Sequence, residues 1–199
     1  MLCRDFKICP GMHRVTRQDG VTLLELIVVV AVFGVLASIA FLGLDGWHRS
    51  RLVAATGTLL ADLQTTRMNA MTESSDDDSR GFGLRFLDNQ SYKVFEFVDN
   101  GVTDFTYEGA AEEVGGYDTE VGNGITITLE ESGNPAGVTN ALLYDKRGMS
   151  RTPNWSSVAG RSYVLRHSSL NQARCIAISQ VRIREGIWNS SASPKCQVR

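Results

Sequence analysis

The sequence predicts an α+β fold in which one long N-terminal helix carries a β-rich domain. Three observations predict it. Nineteen residues from Leu26 to Leu44 contain no charge. Leu52, Ala55, Leu59, Leu63, Thr66 and Ala70 then recur at three- and four-residue steps, the period of a helix with one buried face. Beyond residue 80 the apolar runs shorten, and Ile125, Ile127 and Leu129 alternate with Thr126, Thr128 and Glu130 as a half-buried strand does.

The elements follow in chain order. The head carries Arg4, Lys7, Arg14 and Arg17 against Asp5 and Asp19. Nineteen helical residues rise about 28 Å, close to the hydrocarbon thickness of a bilayer. The positive-inside rule then keeps residues 1–20 cytoplasmic and sends the rest across. Gly43 and Gly46 flank Asp45, and since glycine costs about 1 kcal/mol inside a helix, a melted turn is expected there. Helix is expected to residue 72, with a polar loop at Glu73–Ser79. Strands are expected at Gly81–Leu87, Ser91–Val98, Ile125–Leu129, Ala141–Asp145, Ser162–His167, Ala173–Ser179 and Val181–Trp188. Asp99–Gly124 is acidic and glycine-rich and reads as a long surface loop.

Glu25 stands at the mouth of the uncharged run. An acidic side chain within a membrane helix costs roughly 2.5–3.5 kcal/mol, so its presence points to a function. A secretory signal peptide cut at Ser38-Ile39-Ala40 would release a soluble periplasmic protein, and an uncleaved anchor is a second possibility. Neither needs that carboxylate.

The net charge of −2 conceals an asymmetry. From Glu73 to Glu131, Arg80, Arg85 and Lys93 face fifteen acidic residues. From Arg151 to Arg199, eight basic residues face Glu185 alone. Segregation of this kind suits a docking or steering surface, or two solvated faces of one domain. The cysteines divide likewise: Cys3 and Cys9 in the head, Cys175 and Cys196 near the end. With the topology above, the head stays reduced and the distal pair meets an oxidising compartment. A Cys175–Cys196 disulfide would add roughly 3 kcal/mol in the chain-entropy model; the alternative is two buried thiols.

Enzyme chemistry is not expected. His13, His48 and His167 are isolated in the sequence, and no zinc, phosphate-loop or nucleophile-elbow motif occurs. Asp99, Asn100, Asp104, Glu112 and Glu113 could offer oxygens to calcium, but without EF-hand spacing. No cofactor and no metal are expected.

Gly20-Val21-Thr22-Leu23-Leu24-Glu25, joined directly to the apolar run, resembles the class III signal of type IV prepilins and pseudopilins. The resemblance implies a leader peptide over 1–20, removed after Gly20 by a prepilin peptidase that then methylates Val21. It implies a helix over 21–72, transmembrane and filament core over 21–45, and a pilin-like β-rich periplasmic domain over 73–199. Glu25 would neutralise a neighbouring subunit's terminal amine and set its docking depth. Two departures stand out: Val21 where phenylalanine is usual, and no proline late in the apolar helix. Residues Ala61–Ala70 resemble the D-L-Q-x-x-R-x-x-A stretch of the GspH/FimT (FimU-like) minor pilins and pseudopilins, and Tyr144–Gly148 resembles that family's strand-then-turn. The implied partners are other pilins or pseudopilins at the inner membrane, in a pilus or a type II secretion pseudopilus.

The C-terminal cations carry one further resemblance. Several FimT-type pilins bind DNA in natural transformation through a G-R-x-R segment. This chain has Gln180-Val181-Arg182-Ile183-Arg184, keeping R-x-R without the glycine. On a strand Arg182 and Arg184 share one face, and Arg174, Lys195, Arg161, Arg166 and Arg199 could extend the patch. Phosphate contacts would give weak, salt-sensitive, sequence-independent binding. The alternative is a basic surface that docks an acidic neighbour, such as region 73–131 of a related subunit.

Overall fold

The protein is described over residues 22–73, 80–99, 106–130 and 133–198 of a computed structural model, with the side chains of 39–44 outside that description. The leader, Gly20, Val21, the Ser74–Ser79 part of the polar loop, Asn100–Phe105 and Arg199 lie outside the described residues. The chain divides into two compact units, Met1–Phe41 and Leu42–Arg199.

Helix α1 spans Leu23–Glu73. Its start has a local cause. Thr22 accepts hydrogen bonds from the Glu25 amide on its hydroxyl (3.3 Å) and from the Leu26 amide on its carbonyl (3.1 Å). The Thr22-x-x-Glu25 spacing is that of a capping box, with the carboxylate in the first turn where the helix dipole favours it. The helix continues through Gly43–Gly46, so the expected melted turn is not a break in this structure. Without proline no backbone donor is lost there, and glycine alone weakens a helix without interrupting its ladder. Among the described residues, no helix is long and apolar enough to cross a membrane.

In the second unit ten strands form two antiparallel sheets. They are β1 (Arg80–Phe86), β2 (Ser91–Val98), β3 (Glu113–Glu120), β4 (Ile125–Leu129), β5 (Leu142–Tyr144), β6 (Ser150–Arg151), β7 (Arg161–His167), β8 (Ala173–Ile178), β9 (Ile183–Trp188) and β10 (Cys196–Val198). Sheet order is β3-β2-β1-β5-β6 in one and β10-β9-β8-β7-β4 in the other. The helix stripe builds the core between them. Leu52, Leu59, Leu63 and Ala70 are buried with Leu84, Phe86 and Tyr92 of the first sheet and with Ile127, Tyr163 and Ile176 of the second. Thr56 and Thr66 sit on the same buried face because their hydroxyls donate to the carbonyls of Leu52 and Asp62, at 2.7 and 2.6 Å.

The seven expected strands are present with shifted ends, and three more accompany them. β3 corrects the reading of Asp99–Gly124 as one surface loop. Its sequence, Glu113-Val-Gly-Gly-Tyr-Asp-Thr-Glu120, lacks apolar alternation because it lies at a sheet edge and is exposed along most of its length. Backbone pairing to β2, from Ser91↔Glu120 to Phe97↔Glu113, holds it in place. β6 and β10 are too short to carry a pattern.

The first sheet also has a packed outer face. Gly81 and Gly83 lie opposite Phe97 and Phe95. A Cβ at Gly83 would come within 2.6 Å of Leu143 Cδ2 and 2.9 Å of Phe95 Cζ. Glycine there lets the rings lie over the strand, where Tyr107 stacks on Phe95 at 4.8 Å and Trp155 meets Phe97 edge-on at 6.3 Å.

Asp62 ties α1 to the first sheet. Its carboxylate accepts from the Tyr92 hydroxyl at 2.6 Å and from the Tyr117 hydroxyl at 2.9 Å, so one side chain fixes β2 and β3 together. Burial and then the Asp62 bond raise both phenol pKa values, that of Tyr117 to about 12. Asp62→Ala leaves two hydroxyls without their acceptor and is expected to cost about 1–3 kcal/mol in urea denaturation. Tyr117→Phe should cost less, because that side chain is half exposed.

Candidate functional site

Three regions place the residues singled out above. The first is the N-terminal helix. Beyond Glu25 it presents Leu26, Ile27, Val28, Val29, Val30, Val32, Phe33, Val35 and Leu36, all exposed, on an unbroken uncharged surface. A contiguous apolar surface of this length marks a site of interaction. Gly20 and Val21 precede the described residues.

The second is the segment 61–70 and what it touches. Asp62 takes the two tyrosines, while Leu63 and Ala70 are wholly buried in the core. Arg67 and Met71 pack on the turn after β5. A Cβ on Gly148 would meet Met71 Sδ at 2.6 Å and Arg67 Nε at 2.9 Å, and Gly148 has φ +70°. Asp145 builds that turn. Its Oδ1 accepts from the Arg147 and Met149 amides (2.9 and 2.8 Å), and its Oδ2 takes the Arg151 guanidinium at 2.9 Å. The two segments noted in the sequence, 61–70 and 144–148, therefore form one contact.

The third is the C-terminal hairpin. Cys175 and Cys196 are disulfide-bonded, with Cα atoms 5.8 Å apart, both side chains buried. The bond joins β8 to β10 across β9. Arg182 precedes β9, at the end of a tight turn in which the Ser179 amide donates to the Arg182 carbonyl at 2.8 Å. Val181 is the exposed tip of that turn, whereas Ile183 packs against the core. Arg182 and Arg184 line one groove of about 430 Å³ on the outer face of the second sheet, with Gly160, Ser162, Ala177 and Ser179 among its lining.

Three further cations of the expected patch have partners of their own, and Arg161 also lines the groove. Arg174 pairs with Glu185, its Nε 2.8 Å from Oε1. Lys195 lies 3.4 Å from Glu130 and 5.9 Å from the centre of the Trp188 ring. Arg161 donates to the Asn140 carbonyl at 2.9 Å. Among the described residues, Arg182 and Arg184 form no ion pair, although Glu130 lines the same groove.

Two clusters escaped the sequence. Glu113, almost fully buried, accepts from Arg85 at 2.9 Å, from Lys93 at 2.6 Å and from the Tyr107 hydroxyl. Burial alone would raise its pKa; the bonds to Lys93, Tyr107 and Arg85 outweigh that and lower it. His48 and His167, isolated in sequence, have ring centres 4.4 Å apart. His167 Nδ1 accepts from the Ser169 amide at 3.1 Å, and burial, His48 and Arg51 hold its pKa below the ordinary histidine value. No group of three or more metal-ligating side chains occurs among the described residues.

The class these features define is an α+β protein whose N-terminal helix exposes a long apolar surface ahead of a disulfide-closed β domain. Residues 15–41 match the family described as the prokaryotic N-terminal methylation motif. The motif supports a type IV prepilin-like protein, and it implies processing by prepilin peptidase and assembly with other pilins. No curated protein and no solved structure matches the chain.

Two outcomes follow. Cys175→Ser with Cys196→Ser should lower stability by about 2–4 kcal/mol and loosen β10, as read by thermal unfolding and by proteolysis of the tail. A histidine whose folded pKa is depressed contributes stability that is complete above its unfolded pKa, about 6.5, and is lost as pH falls through the folded value. The unfolding midpoint should therefore drop on acidification below about pH 6.5, and His167→Gln should flatten that slope.

Proposed function

We propose that this chain is a minor pilin or pseudopilin of the GspH/FimT type. It acts as a filament subunit with no enzymatic activity. It initiates or caps a pilus or a type II secretion pseudopilus built at the inner membrane, with residues 1–20 cytoplasmic and the β domain periplasmic. The observation that carries this reading is the methylation motif over residues 15–41, continuous with the exposed apolar helix. The subfamily assignment draws support from Asp62, Arg67 and Ala70, which give the D-L-Q-x-x-R-x-x-A stretch a structural purpose against β2, β3 and the Gly148 turn.

Cleavage after Gly20 frees a cationic amine at Val21, four residues before Glu25. In a membrane neither charge has water, and removing one partner of a buried ion pair is strongly unfavourable. A docking subunit that places its amine on its neighbour's Glu25 gains that compensation at one axial depth only. Depth is thus chosen by charge, while the apolar surfaces on either side supply contact area.

Gly20→Trp should leave the full-length precursor in membranes, read by intact mass. Unchanged leader removal would overturn the prepilin reading. Glu25→Val should be processed normally yet fail to enter filaments.

A further inference from the structure

The groove holding Arg182 and Arg184 faces out from one sheet, and an acidic edge strand closes the other. β3 pairs only with β2 among the described residues, so its second edge is open. Natural edge strands are usually short, covered or guarded by charge. β3 is eight residues long and guarded by Asp118 and Glu120, both exposed and neither ion-paired among the described residues. Lys93 is the cross-strand neighbour of Asp118, but its ammonium is bound to Glu113. The edge therefore stays negative.

Each feature presents two like charges two residues apart in sequence. Asp118 and Glu120 are two residues apart on a strand, so they lie on one face roughly 7 Å apart. Arg182 and Arg184 are also two residues apart and line one groove. The groove's Gly160, Ser162, Ala177 and Ser179 are small enough for an extended backbone to approach, and Glu130, which also lines it, is already faced by Lys195. Guanidinium forks pair carboxylates with two parallel hydrogen bonds, which favours this register over a diffuse attraction.

We propose that the Arg182–Arg184 groove of one copy receives the Asp118–Glu120 edge of a second copy. Groove and edge are different surfaces of the same chain, so the contact is head-to-tail and leaves one free groove and one free edge on each pair. The proposal rests on the filament-subunit reading and names the contact between β domains within it.

The test uses full-length chain in mild detergent, two differently tagged copies and co-capture across a salt series. Association through the apolar helix is insensitive to salt, so the salt-sensitive fraction reports this contact. Arg182→Glu/Arg184→Glu in both copies, or Asp118→Arg/Glu120→Arg in both, should lower that fraction at least tenfold. Mixing one variant with the other should restore it, because the unaltered edge of the groove variant then meets the unaltered groove of the edge variant, and the reversed pair matches as well; this recovery also shows that both variants fold. Loss without recovery, or no salt-sensitive co-capture by the unaltered chain, overturns the contact. Capture of duplex DNA by the unaltered chain and by the Asp118→Arg/Glu120→Arg variant, lost with the arginines and unaccompanied by salt-sensitive co-capture, overturns it in favour of a nucleic-acid groove. Leader removal is read by mass in the same samples. A processed chain that fails co-capture rejects the contact alone, whereas an unprocessed chain rejects the prepilin reading.

Discussion

Burial of one helix stripe against two sheets at once is the contact on which the β domain depends. Leu52, Leu59, Leu63 and Ala70 are shared by residues of both sheets in a single core, so neither sheet has a complete apolar interior without the helix. Each large side chain of this kind contributes about 1.5–3 kcal/mol on burial. Asp62 adds direction to that non-directional force, because two tyrosine hydroxyls on neighbouring strands must reach one carboxylate. Ala70 and Gly148 show the same economy of space near the helix end, where small residues admit close approach.

Much of this was legible in the sequence because it is periodic. The stripe announced the helix, alternation announced β4, and the C-terminal cysteines are bonded as one of the two readings expected. What was not legible has specific causes. β3 carries acidic and glycine residues where a pattern reader expects apolar alternation, since an exposed edge needs only backbone partners. The Asp62 clamp joins residues 30 and 55 positions apart, and the His48–His167 pair is farther apart still. Pairing across such distances leaves no local trace. The charge clusters were half legible: the basic tail was visible, but the sequence could not say that Arg174 and Lys195 spend their charge on Glu185 and Glu130 while Arg182 and Arg184 keep theirs.

The same limit applies to the first residues of the helix. Thr22 and Glu25 have two meanings at once. In the folded chain Thr22 caps a helix whose first turn holds a carboxylate. In a processed subunit the same carboxylate would be the acceptor for an incoming amine. Under the proposed function, helix initiation and subunit recognition place compatible demands on this one residue.

The disulfide has a consequence for how the domain ages under oxidising conditions. The exposed Val181 tip of the β8–β9 hairpin lies inside the covalent loop that Cys175 and Cys196 close. A protease that nicks the hairpin there produces two peptides still joined by sulfur, with β9 and β10 held on the sheet. The arginine turn can be cut without being shed, so long as the surroundings remain oxidising.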